Sequence, residues 1–182
     1  MEYIIDSSHS EIEFKIKHLM ISTVTGRFNT FMATMESNKN DFTDAKIKFD
    51  AVVDSITTNI TDRDNHLKST DFFDVENYPL ISFESTSITV ANGSLYVICG
   101  NLTIKDVTKE IIISGTYNGS DVDAYGNTKF GFDLKGKIKR SDFGLTFNIV
   151  GEKGGIVISD EVELNISIQM QEYKTKQNEI LA

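Results

Sequence analysis

The chain has 182 residues, of which 40% are hydrophobic and 25% are charged, and its formal net charge is −9. This length suits one domain with a sizeable core, and the composition excludes wholesale disorder. The excess of 27 acidic over 18 basic residues disfavours nucleic acid and anionic membrane surfaces as partners, which leaves neutral lipids and hydrophobic small molecules. The single cysteine, Cys99, excludes an internal disulfide bond.

The first residues, MEYIIDSSHS, contain neither the basic nor the apolar region of a secretion leader. No window approaches the roughly 20 apolar residues that a membrane-spanning helix requires. We therefore expect no stable membrane insertion. The sequence as written predicts a cytoplasmic protein, or a periplasmic one if a leader has been removed.

Alternation of apolar and polar residues is the dominant pattern along the chain. In EIEFKIKH, residues 11–18, the apolar residues and His18 share one face, and Glu and Lys residues occupy the other. The same alternation recurs in KIKFDAVVD at 46–54, NTKFGFDLKGKIK at 127–139 and EVELNISIQMQ at 161–171. Strands with one polar and one apolar face are typical of antiparallel sheets.

Four further runs, GRFNTFMATM, LISFESTSITV, SLYVICGNLTI and KEIIISGTY, bring the predicted number of strands to eight or nine. Turn-forming residues at 91–94, 118–121 and 125–127 separate several of them. No segment with helical periodicity is long enough to cover a sheet, so the strands must bury their apolar faces against one another. The sequence therefore predicts an all-β fold, as a closed barrel or a sandwich.

One short helix is predicted at the start of RDNHLKSTDFFD, residues 63–74. Thr61 or Asp62 would cap it. An amphipathic helix here would press Leu67, Phe72 and Phe73 onto one end of the barrel, with its charges at the surface. The segment is interpreted as a lid over an apolar interior.

The charged residues of this segment allow two functional interpretations. Arg63 and His66 would suit an anionic or quinone-like head group of a ligand bound under the lid. Alternatively, His66 with Asp62 or Asp64 would serve a hydrolase or isomerase at the barrel mouth. A metal site would need at least three converging ligands, which the helix alone does not supply. The motif favours charges that orient a lid over charges that perform catalysis.

A barrel of about eight strands either fills itself with side chains or holds one small ligand. A lipid of about 40 carbons would gain on the order of 12 kcal/mol at roughly 0.3 kcal/mol per heavy atom. That gain corresponds to roughly nanomolar affinity. Binding alone would thus be a sufficient function for such a barrel, without any catalytic group.

The segments YIIDSSHSEIEFKIKHLMISTVTGRF, RDNHLKSTDFFD, YPLISFES and LTIKDVTKEI, in this order, resemble the YceI-like family over about residues 3–170. The resemblance implies a single extended antiparallel eight-stranded lipocalin-like β-barrel over residues 1–172, with a polar tail at 173–182. It also implies non-catalytic binding, storage or transport of a long-chain isoprenoid quinone or prenyl pyrophosphate in an apolar channel, often by a homodimer. No catalytic residue, cofactor or metal ligand is carried over from the family.

The predicted ligand-binding residues combine the apolar faces of the strands with the positions of the lid motif. They are Phe14, Ile16, His18, Phe28, Phe49, Val53, Arg63, His66, Leu67, Phe72, Phe73, Phe83, Phe130, Phe132 and Phe143.

Overall fold

β-Strands make up most of the protein, for which a computed structural model describes residues 1–91, 94–148 and 157–173. The elements in chain order are β1 (Glu2–Ile5), β2 (Glu11–His18), β3 (Ser22–Phe28), β4 (Phe31–Glu36), β5 (Lys46–Val52), β6 (Ile56–Thr57), α1 (Thr61–Lys68), β7 (Leu80–Ala91), β8 (Leu95–Ile104), β9 (Val107–Val122), β10 (Thr128–Lys139) and β11 (Ile158–Glu172). The predicted all-β class with a short helix is confirmed. The predicted tail at 173–182 lies outside the described residues beyond Tyr173.

The strands form one closed antiparallel sheet. β1 and β2 both pair with β11, so together they act as one bent barrel strand. β3 and β4 form the next bent strand, because β3 pairs with β2 and β4 pairs with β1. β5 and β6 form a third bent strand, in which β5 pairs with β4 and β6 pairs with β3. The result is the predicted eight-stranded barrel, a meander in which neighbours along the chain are neighbours in the sheet.

The bend between β1 and β2 is held by the carboxylate of Asp6. It accepts hydrogen bonds from Ser8 Oγ at 2.6 Å, Lys129 Nζ at 2.9 Å and Gln169 Nε2 at 3.1 Å. The hydrogen bond from Ser8, with the contacts to Lys129 and His9, holds the pKa of Asp6 well below its usual range. The bend is thereby tied to β10 and β11.

Residues 118–121, predicted as a turn, lie inside β9, so that prediction is wrong. Gly131 pairs with Gly119 and Phe132 pairs with Tyr117, which leaves Asn118 as an extra residue in β9. Such an insertion is a β-bulge, which bends a strand without ending it. The chain reverses only at 123–127, where the amide of Gly126 donates to the carbonyl of Asp123 at 3.0 Å.

A cluster of aromatic rings closes one end of the barrel, and we call it the floor. Phe42, from the loop between β4 and β5, is buried against Tyr3, Tyr117, Phe130 and Phe132, at centroid distances of 5.7, 6.0, 5.5 and 5.7 Å. Its φ of 55° is a left-handed conformation that costs roughly 1–2 kcal/mol. The four ring contacts offset this strain at about 0.5–1.5 kcal/mol each.

The opposite end of the barrel carries the lid, which comprises α1 and the turns that follow it up to residue 75. It belongs to an insertion between β6 and β7. The amide of Val53, directly after β5, donates to the carbonyl of Pro79, directly before β7, at 2.9 Å, so the end of the insertion is joined to the end of β5. The lid is thereby placed above the strand ends that surround the barrel interior.

Candidate ligand-binding site

A cavity of about 450 Å³ occupies the barrel between the floor and the lid. Its volume falls within the range of roughly 300–1,000 Å³ for small-molecule sites. The barrel therefore retains a hollow where its side chains could have filled the space. Apolar side chains from β2, β5, β7, β8, β10 and β11 line its wall.

Most of the residues predicted from the sequence surround this cavity. Those that line it are Phe14, Ile16, His18, Phe28, Phe49, Arg63, His66, Leu67, Phe72, Phe73 and Phe83. The alternation in β2 places Phe14, Ile16 and His18 together on the inner face, as the period of two requires. Contact of these residues with a ligand remains a prediction.

Four predicted residues lie outside the lining. Phe130 and Phe132 point into the barrel but belong to the floor, beneath the cavity. Val53 and Phe143 are fully buried in the core within the short 3-10 turns Val53–Ser55 and Arg140–Phe143. A period of two tells which face a residue occupies, but it tells neither the height along the barrel nor the direction of a side chain in a turn.

The sequence prediction missed Arg140, a buried arginine that lines the cavity. Its guanidinium donates to the carbonyls of Leu145 at 2.5 Å, Phe147 at 2.8 Å and Ser159 at 3.0 Å. Burial lowers the pKa of Arg140, and the nearby Asp160 partly opposes this. Arg140 fixes the loop after β10 against β11. Arg140 lies in the segment IKRSDFGL, which could have drawn attention to it. Its hydrogen-bond acceptors, however, are backbone carbonyls, and these cannot be recognised from residue types.

Gly26 of β3 determines how the ring of Phe14 packs against the cavity wall. The two residues are paired across the sheet, and a Cβ atom on Gly26 would lie 2.3 Å from Cζ of Phe14. The ring thus lies over the glycine, a known pairing of aromatics with strand glycines. Gly100 accommodates Phe83 in the same way, again at 2.3 Å. Both rings stay close to the wall and leave the centre of the barrel open.

The lid is anchored at its start by Asp64. Its Oδ1 accepts from the amide of Thr58 at 2.7 Å and from the Thr58 hydroxyl at 2.5 Å, and its Oδ2 accepts from the Thr57 hydroxyl at 3.0 Å. Partial burial raises the pKa of Asp64, but these hydrogen bonds and the charge of Arg63 outweigh it, so the net pKa lies below the usual value. The prediction of a cap by Thr61 or Asp62 is wrong, because Ile60 is the N-cap residue and makes no side-chain cap bond.

The apolar underside of the lid comes mainly from the turn after α1. Leu67 is the single apolar residue within TDRDNHLK, so the helix is less amphipathic than predicted. Phe72 and Phe73 supply the rest of the cover, and Phe73 packs against Phe28 of β3 at 6.4 Å. The apolar cover of the cavity thus comes from three side chains of the lid, two of which follow the helix.

His66 joins the lid to the loop after β10. Its ring packs edge-on against Phe72 at 5.1 Å and Phe147 at 4.8 Å. Its Nε2 lies 2.8 Å from Oδ2 of Asp71. The carboxylate at His66 is therefore that of Asp71 and not Asp62 or Asp64, which the enzyme interpretation had paired with it.

Polar side chains gather at the lid end of the cavity. His18, Thr58, Arg63, His66 and Arg140 all border it there. The Nε and Nη2 atoms of Arg63 donate to the hydroxyl and carbonyl of Thr58 at 2.7 and 2.9 Å. Its Nη1 has no hydrogen-bond partner among residues 1–91, 94–148 and 157–173. That nitrogen is available to an anionic or carbonyl oxygen.

Residues 1–91, 94–148 and 157–173 contain neither a metal site nor a membrane-spanning helix. In them, no three His, Cys, Asp or Glu residues converge in a way that could hold a metal ion. α1, the described α-helix, is neither long nor apolar enough to cross a membrane.

An eight-stranded barrel with an aromatic floor, an apolar hollow and a short helical lid defines a lipocalin-like fold. The chain belongs to the YceI-like family, whose domain model matches residues 3–170. It is 36% identical over 165 residues to a UPF0312 protein of Staphylococcus aureus strain N315, which covers 90% of this chain and 94% of the relative.

Solved structures share the fold. The Campylobacter jejuni YCEI protein is 32% identical, covers 93% of this chain and 96% of its own, and superposes with a TM-score of 0.74. A polyisoprenoid binding domain from Saccharophagus degradans, implicated in plant cell wall breakdown, has a TM-score of 0.72 and covers 94% and 98%. Its identity is 15%, so this likeness concerns the fold alone.

Proposed function

We propose that this protein binds one long-chain isoprenoid lipid in the barrel cavity, as a non-catalytic store or carrier. The observation that carries the proposal is the cavity itself, whose wall is mostly apolar and whose polar side chains are concentrated towards the lid. An isoprenoid has the matching division into a long apolar chain and a small polar head. The family membership and the polyisoprenoid-binding neighbour with the same fold support this ligand class.

The head group would lie under the lid and the chain would point to the floor. Arg63 offers its Nη1, which has no partner among the described residues, to a diphosphate or a quinone carbonyl, and charge-assisted hydrogen bonds of this kind are among the stronger ones. Arg140 contributes a second positive charge on the same side of the cavity. Both cations favour a diphosphate head, while a quinone would use the same donors through its oxygens. The homodimer and the compartment remain predictions from the sequence.

The first test is to extract the purified protein with organic solvent and analyse the extract by mass spectrometry. We expect a prenyl lipid in near-stoichiometric amount. Absence of any such lipid, together with no binding of added prenyl diphosphates of different lengths, would refute the proposal.

A matched pair of variants locates the site. Phe49→Asp places a carboxylate on the cavity wall, whereas Met32→Asp places one on the outer face, where Met32 is 65% exposed. We expect the first to weaken binding of a fluorescent prenyl probe at least a hundredfold and the second to leave it unchanged. Equal affinities in two folded variants would show that the ligand does not occupy the cavity.

The enzyme interpretation is tested with His66→Ala. A carrier with this substitution should still bind a prenyl probe, and no turnover of prenyl diphosphate should be detectable in either protein. Measurable turnover in the unsubstituted protein that disappears in His66→Ala would favour the enzyme.

A further inference from the structure

The hairpin between β2 and β3 ends in three consecutive exposed apolar residues. Leu19, Met20 and Ile21 have exposed fractions of 45%, 70% and 85%. We call these residues the hairpin tip. Single apolar residues are common on protein surfaces, but a contiguous apolar group marks an interaction site.

The backbone of the hairpin tip is also strained. The amide of Ile21 donates to the carbonyl of His18 at 3.1 Å, and the two residues between them have φ values of 51° and 57°. Positive φ at both central residues defines a type I′ turn, for which Asn-Gly is strongly preferred. Leu19 and Met20 are poor choices for these positions, because bulky side chains rarely adopt a left-handed backbone.

The strain at Phe42 is offset by burial against four aromatic rings, as described for the floor. Leu19 and Met20 have the same backbone conformation, but Leu19 is only about half buried and Met20 is 70% exposed. Strained conformations are concentrated at functional sites, where they persist because the strained residue has a role. The hairpin tip therefore carries a backbone strain that burial among the described residues offsets only in part, at Leu19.

The position of the hairpin tip connects it to the cavity. The amide of Leu19 donates to the carbonyl of Val157 at 2.7 Å. The cavity is lined by residues next to the tip: His18 precedes it, Val24 follows it, and Val157 is hydrogen-bonded to it. The tip thus stands at the lid end of the barrel, on the rim through which a ligand would pass.

We propose that the hairpin tip inserts into the surface of a zwitterionic lipid bilayer and holds the cavity mouth against the membrane that supplies the isoprenoid. This inference rests on the proposed function. A protein partner fits less well, because a stable interface buries about 800 Å² on each side, far more than three side chains provide. Apolar side chains can enter the headgroup region to roughly 5–10 Å, and the strength of such binding scales with the apolar area buried, so three side chains suit a weak and reversible contact.

The charges around the tip fit a weak and reversible contact. Lys17 stands just before the tip, and its Nζ is held by the hydroxyl of Thr23 just after it, at 2.8 Å. This local positive charge faces lipid phosphates, while the net charge of −9 opposes strong accumulation on an anionic surface. We therefore expect the protein to bind phosphatidylcholine vesicles more strongly than phosphatidylglycerol vesicles, because its net negative charge is repelled by the anionic lipid.

The experiment compares the protein with Leu19→Asn/Met20→Gly, which installs the preferred type I′ residues and removes two of the three apolar side chains of the tip. Tyr125→Ser is the matched control, because Tyr125 is 90% exposed on the hairpin at the opposite end of the barrel. Each protein is floated with phosphatidylcholine vesicles and then with phosphatidylglycerol vesicles. The rate of extraction of dansyl-geranylgeraniol from the phosphatidylcholine vesicles is also measured.

We expect the tip variant to lose at least tenfold in vesicle binding and extraction rate, while its melting temperature rises by a few degrees because the strain is relieved. Its affinity for a water-soluble dansyl-geranyl diphosphate should stay within twofold. The control should match the unsubstituted protein in every assay. This combination of higher stability and slower extraction would not arise from damage to the fold.

Other outcomes would overturn the docking proposal. An unchanged extraction rate would exclude a role for the tip, and a lower melting temperature would show that its apolar residues stabilise the fold. A change from dimer to monomer in sedimentation velocity would identify a second copy as the occupant. If the unsubstituted protein fails to bind the soluble probe, the proposed function itself fails, whereas binding without any effect of the tip rejects docking alone.

Discussion

Replacement of Phe42 by alanine should lengthen the cavity at the cost of stability. The ring of Phe42 fills the centre of the floor, directly between the cavity and the other end of the barrel. Without it, the space beneath the present cavity would open towards Tyr3 and Tyr117. We expect the variant to accept prenyl chains longer than those preferred by the unsubstituted protein.

The cost in stability follows from the contacts that are lost. Four ring contacts at about 0.5–1.5 kcal/mol each sum to about 2–6 kcal/mol, which agrees with the roughly 3–5 kcal/mol typical of buried Phe→Ala substitutions. Alanine keeps the positive φ of Phe42, so relief of strain does not compensate. A loss of this size lowers the melting temperature by about 6–20 °C for a domain of this length.

The assay measures the affinities of prenyl diphosphates of increasing length for Phe42→Ala, with Phe42→Leu as a milder variant that keeps more of the floor. Phe143→Leu serves as the control, because Phe143 is equally buried but lies outside the cavity lining. The optimum length should increase for Phe42→Ala and, by less, for Phe42→Leu. If folded Phe42 variants keep the original length preference, the floor does not limit the chain.

Three further predictions concern the wall, the lid and the head group. Gly26→Ala should push the ring of Phe14 into the cavity, because the new Cβ would lie 2.3 Å from its Cζ. We expect about 1–3 kcal/mol of destabilisation and weaker prenyl binding in a titration. In a Phe14→Ala background the same glycine substitution should have little further effect on either quantity. The lid should open only as the pH falls below the usual titration range of an aspartate, because the pKa of Asp64 is lowered in the folded state and its protonation removes the charge that holds the Thr58 amide. Hydrogen exchange of the α1 amides, followed from neutral to strongly acidic pH, should show this opening, and Asp64→Asn should abolish the pH dependence. Arg63→Gln should reduce affinity for a prenyl diphosphate at least tenfold more than affinity for the corresponding alcohol, since a charge-assisted hydrogen bond contributes about 1.5–3 kcal/mol.

Each of these predictions has an outcome that contradicts it. Gly131→Ala is the control for the wall, because its Cβ would meet Asn118 only at an ordinary distance of 3.6 Å, and equal binding by the two alanine variants would dismiss the role of the ring. Lid amides whose exchange follows only the intrinsic pH dependence would argue against the Asp64 anchor. Equal losses for diphosphate and alcohol in Arg63→Gln would indicate that the arginine stabilises the lid without touching the head group.

The wall of the cavity was predictable from the sequence, because period-two alternation places side chains on a face. Phe14, Ile16 and His18 of β2, and Phe49 of β5, were placed on the inner side by this rule alone. The rule says nothing of height along the barrel axis. Phe132 shares the inner face of β10 with Leu134 but lies lower, in the floor, while Leu134 lines the cavity.

The floor was not predictable for a different reason. Phe42 lies in NKNDFTDA, residues 38–45, where polar residues surround a single ring and no alternation marks a strand. Its inward position depends on a left-handed backbone conformation that a phenylalanine rarely adopts. Similarly, Arg140 acts through backbone carbonyls, so its buried role depends on the path of the loop and not on partner side chains.

The meander topology has a consequence for the order of assembly. Most neighbouring strands are also adjacent in the chain, so hairpins can form early and independently through local contacts. The pairing of β1 with β11 is different, because it joins Tyr3 to Glu172, at opposite ends of the chain. The barrel can therefore close only after the last strand has been synthesised. A lipid that is present when β1 pairs with β11 would be enclosed as the barrel closes, so the protein would acquire its ligand during folding.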